Sequence, residues 1–407
     1  MDGDGVLEAL VQRGGGNGFS PKPPFLVKWQ GGKGKGTKGK DNWNQDWGDD
    51  KGLTKGARGR AGKFMDIDHD GDLDLVLVNA EIKVGPGPRQ ILYKNTGGEF
   101  KYMGKGKDLG GAVGSHGLVV DYNDDGELDL LLGHNLRMLK GTKWFGFTDV
   151  TKSVLPESYK LVMAMAEIDI DNDGDMDLYL ARGWGQQDVL LENVKGKYFV
   201  DISEKAGLIT KFDGAYRSMV TVGDFNNDGY MDVFLTRRNW PNHKKGPRLA
   251  DYLLMNNGKK GFKIYSKHGA VTPKWDGYGD GAQAFDFDND GRLDILSSSE
   301  KGRWRLFRNL TPRSPKAKYL LVRILRSPGK KKGTPMGAVV PVWVAKKLFR
   351  RRVGAAGANF QQSQLDIVHF GLGNIKKITK VVVVWTNKQS KTVWNPKPNS
   401  TIKVGVI

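Results

Sequence analysis

The chain has 407 residues, 56 glycines, no cysteine and a formal charge of +19. That length allows two domains, or one repeat domain with an appendage, and the missing cysteine excludes disulfides and thiolate chemistry. No apolar run approaches the roughly 18 residues of a membrane helix, so no membrane span is expected. The start, Met1-Asp2-Gly3-Asp4-Gly5, lacks the basic and apolar parts of a signal peptide, as a mature or incomplete chain would.

In chain order, the first feature is Asp2-Gly3-Asp4-Gly5-Val6-Leu7-Glu8, a fragment of a pattern that becomes complete further on. It fits positions three, five, six and nine of a nine-residue loop, followed by a strand over 7–11. Residues 31–62 are rich in Gly and Lys, with Trp43 and Trp47 among them, and read as a long surface loop with an aromatic anchor.

The complete pattern is Asp66-Ile67-Asp68-His69-Asp70-Gly71-Asp72-Leu73-Asp74, followed by Leu75-Val76-Leu77-Val78. Carboxylates at positions one, three, five and nine around a Gly at six suit a hard cation. Ca²⁺ takes about six to eight oxygens, which alternate side chains of a tight loop can supply, with a backbone oxygen at position seven. Without a cation these acids would repel one another by several kcal/mol.

The loop returns four times. The second copy carries Asp121, Asn123, Asp125, Glu127 and Asp129, and the third Asp169, Asp171, Asp173, Asp175 and Asp177. The fourth carries Asp224, Asn226, Asp228, Tyr230 and Asp232, and the fifth Asp286, Asp288, Asp290, Arg292 and Asp294. These copies hold nearly half of the 45 Asp and Glu, so the rest of the chain is strongly basic and would attract polyanions. Recurrence at 48 to 62 residues marks a repeat architecture with about five Ca²⁺ sites, and a partial sixth near Asp2, Asp4 and Glu8. An EF-hand would need Glu at position twelve, where these loops have Leu77, Leu132, Leu180, Leu235 and Ser297. The flanks, such as Val119-Val120 and Val220-Thr221-Val222, are short β-branched runs that read as strands.

A second phrase follows each loop and strand: Ile91-Leu92-Tyr93-Lys94-Asn95-Thr96-Gly97-Gly98, Val189-Leu190-Leu191-Glu192-Asn193, Tyr252-Leu253-Leu254-Met255-Asn256 and Trp304-Arg305-Leu306-Phe307-Arg308-Asn309. Alternation and a Gly- or Asn-rich turn make it a hairpin. Four strands per repeat are the blade of a β-propeller, with the acidic loop joining its first and second strands.

This combination resembles the FG-GAP or VCBS repeats of integrin-α-like propellers over residues 1–312. The resemblance implies an all-β fold, a six- or seven-bladed propeller, with Ca²⁺ held at the loop positions named above. After Pro312 the pattern changes, and strands are expected over 318–326, 336–345 and 378–385. Met336-Gly337-Ala338-Val339-Val340, Gln361-Gln362-Ser363-Gln364, His369-Phe370-Gly371-Leu372-Gly373 and Val382-Val383-Val384-Trp385 resemble the ASPIC/UnbV domain. That domain follows such repeats in secreted proteins similar to cartilage acidic protein. Thr386-Asn387-Lys388 stands where that family usually has Pro and a nearby Gly. Residues 313–407 are thus expected to form a small β-sandwich-like domain.

No nucleophile motif, P-loop or dinucleotide fingerprint appears, and six scattered His without Cys argue against zinc. His369 reads as a structural residue in a Gly-flanked turn, and His69, at an even loop position, points away from any ion. The run 346–352 (Lys-Lys-Leu-Phe-Arg-Arg-Arg) reads as a polyanion site or as a charged edge that blocks association. Asn309-Leu310-Thr311 and Asn399-Ser400-Thr401 match glycosylation acceptors. The expected protein is extracellular, Ca²⁺-binding and non-enzymatic, an adhesion or binding protein. Its expected partner is an extracellular protein or acidic polysaccharide; nucleic acid is not expected. The alternative is a self-assembling fibre or layer subunit, a homo-oligomer or filament completed by strand donation.

Overall fold

The computed structural model describes residues 8–11, 23–29, 43–45, 51–55, 59–79, 90–105, 109, 116–183, 186–208, 215–239, 250–271, 279–299, 303–311, 316–329, 333–345, 347–357 and 366–406. The fold is all-β and propeller-like. Among the described residues one four-residue α-helix, Thr151–Val154, interrupts it.

Among the described residues six antiparallel sheets precede Lys318. The first holds Glu8–Val11, Phe25–Trp29 and Trp43–Gln45. The second holds Gly59–Met65, Asp74–Asn79, Gln90–Thr96 and Glu99–Lys105. Gly117–Val120, Asp129–Leu132, Arg137–Thr142 and Gly146–Asp149 form the third. Lys160–Ile168, Asp177–Arg182, Val189–Val194 and Tyr198–Asp201 form the fourth, with His134–Asn135 added on the edge of its first strand. The fifth holds Ala215–Gly223, Asp232–Asn239, Tyr252–Asn256 and Phe262–Tyr265, and the sixth Gly279–Phe285, Asp294–Ser299 and Trp304–Phe307. In sheets two to six each acidic loop joins the first strand to the second, as the sequence pattern requires.

The strands that leave the first two acidic loops are apolar because both their faces are covered. Asp74–Asn79 and Asp129–Leu132 are buried at every position. One apolar cluster joins Leu118 and Leu131 of the third sheet to Leu178 and Leu191 of the fourth; another joins Ala164 and Ile168 to Val220 and Val233 of the fifth. Neighbouring sheets therefore stack face to face, each buried Leu, Val or Ile contributing roughly 1.5–3 kcal/mol.

From Lys318 onward the strands pair among themselves. One sheet runs Ile367–Gly373, Lys318–Ile324, Ser400–Val404, the last two parallel. The other runs Lys347–Arg352, Val339–Val344, Lys380–Val384, Ser390–Trp394. Val322, Val342, Phe370, Val381 and Trp385 fill the space between them, and Trp385 Nε1 donates to Leu325 O at 2.9 Å.

The structure corrects three sequence expectations here. Trp43 opens a strand of the first sheet rather than anchoring a loop, its register partner being Trp29. Within the basic run, Lys347–Arg352 is an edge strand, as expected, but it faces the propeller (below). His369 lies within the strand Ile367–Gly373, not in a turn. Its glycines mimic turn punctuation, yet Gly371 serves a close approach: a Cβ there would fall 1.8 Å from Asp224 Oδ2. The partial sixth loop at Asp2 and Asp4, and Trp47, lie outside the described residues; Glu8 begins the first strand.

Candidate cation loops at the domain junction

The five loops, 66–74, 121–129, 169–177, 224–232 and 286–294, are called loops 1 to 5. They share one backbone course. The residue at position four is left-handed in every copy (His69, Asp124, Asn172, Asn227 and Asn289, φ 55 to 61°). The Gly at position six has φ from 82 to 98°, which a side chain would strain. That is why Gly71, Gly126, Gly174, Gly229 and Gly291 recur.

The carboxylates tie this course together. At position nine, Asp74, Asp129, Asp177, Asp232 and Asp294 each accept a bond from the backbone N–H of position two, at 2.9 to 3.1 Å. The other oxygen of each accepts from the hairpin, at Asn95, Gly141, Asn193, Asn256 and Asn309. At position five, Asp70, Asp125, Asp173, Asp228 and Asp290 each accept from the N–H of position seven at 2.9 Å. The position-seven side chains of loops 1 to 4 turn outward. Asp72 and Asp175 meet the hairpin N–H groups of Gly97 and Lys195, and Lys347 lies over the Tyr230 ring. Arg292 folds back onto Asp290. Glu127 leaves its loop altogether and meets His69 and Lys388. A backbone oxygen is thus what position seven can offer an ion.

Carboxylate oxygens converge within 4.8 Å in three loops: Asp66, Asp68 and Asp70; Asp169, Asp171 and Asp177; Asp286, Asp288 and Asp290. Loops 2 and 4 have Asn at position three, and there Asn123 and Asn226 donate to Asp125 and Asp228 at 3.0 Å. Several inward oxygens have no hydrogen-bond partner although buried: Asp66 Oδ1, Asp68 Oδ1 and both oxygens of Asp169. Burial pushes the Asp66 carboxyl up to about 6, Asp169 and Asp224 to about 7, and Asp74 and Asp129 to about 8. Asp177 and Asp232 are raised well above the ordinary value for the same reason. Oxygen donors alone, orphaned and aimed at one point, fit a hard divalent cation.

Side chains of the chain itself reach these loops. Lys94 pairs with Asp68, Lys140 with Asp125 at 3.0 Å, Lys260 with Asp171 at 2.7 Å and Arg308 with Asp288 at 2.7 Å. The loops also bind one another. His69 Nε2 lies 2.8 Å from Glu127 Oε2 in loop 2, so it does point away from its own loop. Asn172 Nδ2 donates to Gly229 O, and Asn227 Nδ2 to Gly291 O, both at 2.9 Å. The hairpin asparagines stitch neighbouring sheets: Asn193 donates to Tyr122 O, Asn256 to Ile170 O and Asn309 to Phe225 O. Asn309 also donates to Leu293 O, so its side-chain amide is engaged on both sheets in the folded chain. Asn399 is exposed, and its Oδ1 accepts from the Tyr319 N–H.

The C-terminal sandwich sits on this loop face and touches all five copies. Thr386 Oγ1 donates to Asp66 Oδ2 at 2.8 Å, and its carbonyl lies 2.6 Å from His69 Nδ1. Lys388 lies 2.9 Å from Glu127. Arg350 pairs with Asp124 and donates to Gly174 O. Gly373 N donates to Asn227 O in loop 4, and His369 Nε2 lies 3.2 Å from Gly291 O in loop 5. Arg352 is 2% exposed and lies 3.1 Å from Glu167, which is 1% exposed. Arg351 is buried with an unpartnered Nη2, its charge felt by Asp169 and Asp224.

The basic run therefore finds its acidic partners within the same chain. Sequence reasoning named the loop residues but missed Glu167, Thr386 and the role of Arg350 to Arg352. One signal was present: Thr386-Asn387-Lys388, the departure from the family pattern, is the turn that meets loops 1 and 2.

Comparison with known proteins agrees with this architecture. The FG-GAP-like repeat family matches residues 169–235, and the ASPIC and UnbV family matches residues 329–406. The chain thus carries an FG-GAP-like repeat and a C-terminal ASPIC/UnbV segment. No curated protein matches it. Among solved structures, the Photorhabdus luminescens Tc holotoxin pore is similar at 14% identity and a TM-score of 0.41, over 94% of this chain and 16% of that one. The V. cholerae biofilm matrix protein Bap1 is similar at 10% identity and a TM-score of 0.30, over 84% of this chain and 60% of that one. The chain spans less than two thirds of either.

Proposed function

We propose that this protein is a non-enzymatic, extracellular binding protein whose propeller-like part is stabilised by Ca²⁺ in its acidic loops. The observation that carries this reading is the convergence of carboxylates in loops 1, 3 and 5, with buried carboxylate oxygens that lack partners in loops 1 and 3. Asp169, Asp171 and Asp177 would hold an ion in loop 3, and the position-one, -three and -five residues would do so in loops 1 and 5. A bound ion supplies the positive charge that lets these turns stay ionised and closed. The chain's own part is to hold the oxygens in place through the backbone bonds at positions five and nine.

Extracellular millimolar Ca²⁺ would fill sites of modest affinity, which supports the location. No described helix is long and apolar enough to cross a membrane. The sandwich covers the loop face, so a partner binds elsewhere. Exposed Trp144, Trp304, Leu310 and Trp394 offer apolar contacts, and the basic balance favours an acidic polysaccharide or acidic protein. The test is thermal unfolding after dialysis against a chelator, then with CaCl2 restored. A melting temperature that falls by more than about 5 °C and recovers with Ca²⁺ is expected; an unchanged melt would refute the reading.

A further inference from the structure

The loops are neutralised unequally, and the inequality traces to one position in the sequence. Immediately before the hairpin asparagine or its equivalent stand Lys94 (before Asn95), Lys140 (before Gly141), Glu192 (before Asn193), Met255 (before Asn256) and Arg308 (before Asn309). Where this residue is basic, its charge enters the loop beside it. Lys94 Nζ pairs with Asp68 and lies 3.8 Å from Asp70, so it sits among the converging carboxylates of loop 1. Arg308 takes the same place in loop 5, 2.7 Å from Asp288 and 3.9 Å from Asp290, and Arg292 adds a second cation. Loop 2 has Lys140 on Asp125.

Loop 3 is the opposite case, because Glu192 places a further carboxylate beside it. Lys260, from the hairpin of the next sheet, bridges Asp171 and Glu192. Even with Arg351 nearby and Arg350 on the Gly174 carbonyl, three cations stand against Asp169, Asp171, Asp173, Asp177 and Glu192, with Asp175 at the rim. Asp169 is fully buried with both oxygens unpartnered.

We propose that the residue before the hairpin asparagine sets the divalent-cation affinity of its loop. Lys94 and Arg308 are tethered counter-ions that a metal must displace, and loop 3, with Glu192, is the tightest site of the ring. Two cations cannot share one oxygen cage without strong repulsion, so loading loop 1 or 5 requires the side chain to leave. Loop 3 needs no such departure from its own hairpin, and Lys260, the cation that must leave Asp171, keeps Glu192 as a partner when it does. This rests on the divalent-cation reading above.

Calorimetric titration of the full chain with CaCl2 separates the two ideas. Lys94→Met and Arg308→Met should each tighten one weak site by about three- to tenfold, and Glu192→Lys should abolish the tightest one. Circular dichroism melts in chelator confirm that each variant is folded; the two methionine variants should melt lower than wild type there, having lost a resident cation. A wild-type chain that takes up Ca²⁺, with isotherms unchanged in folded Lys94→Met and Arg308→Met, overturns this proposal alone. A wild-type chain that takes up none overturns both.

Discussion

The two faces of the domain junction meet the same problem, buried charge, from opposite sides. The propeller-like part gathers carboxylates into turns, with inner oxygens that lack partners in loops 1 and 3, and its sheets are held by apolar stacking behind them. The C-terminal sandwich closes around Trp385 and Phe370 with an apolar core of its own, and sends Arg350, Arg351 and Arg352 outward from its edge strand. One side is short of positive charge and the other supplies it. The difference teaches that an ASPIC/UnbV segment can be part of the electrostatic balance of the repeats it follows, rather than a separate appendage.

Breaking the junction at its driest contact should have the largest effect. Arg352→Met leaves Glu167 buried without its partner and should cost about 3–5 kcal/mol in chemical denaturation. A loss below about 1 kcal/mol would mean that water reaches Glu167 and the two faces are only loosely joined. Next comes Gly371→Ala, whose Cβ would meet the Asp224 carboxylate. It should cost about 1–3 kcal/mol and make the sandwich more sensitive to limited proteolysis; a neutral result would place loop 4 further from the strand than described.

The last effect, and the most diagnostic, is on pH dependence. In the folded chain burial keeps Asp169 and Asp224 protonated to about pH 7, and Asp74 and Asp129 to about pH 8, while an unfolded Asp loses its proton near 3.8. Between those values the folded state holds more protons, so its stability falls as pH rises. In chelator the melting temperature should decline steadily from about pH 5 to about pH 8. With Ca²⁺ present the slope should flatten, because a dication favours the ionised carboxylates. A chelated protein that grows more stable over the same range would show that the loops are already neutralised by their lysines and arginines.

Much of the fold was legible because its signals are local. The recurrence of Asp, Gly and an apolar strand announced five repeats, and the hairpin phrases placed the third strands of four of them, missing Arg137–Thr142. The glycines of 369–373 misled, since a glycine needed for close approach looks like one needed for a turn. The basic run 346–352 was legible as an edge strand but not as a plug, because its acidic partners stand far away in the chain. Glu167 gave no signal at all: in sequence it is one polar residue near the end of the mostly apolar strand Lys160–Ile168.

By itself, the order of residues determined the loop geometry, since left-handed position four, glycine at six and a doubly bonded Asp at nine all follow from contacts within a few turns of chain and the next hairpin. What tertiary structure alone decided is which charges meet. Arg352 finds Glu167 across 185 positions, and Thr386 reaches Asp66 across 320. Coulomb attraction depends on distance in space and on the water excluded from between the groups, and only the docking of the sandwich onto the loop face sets either.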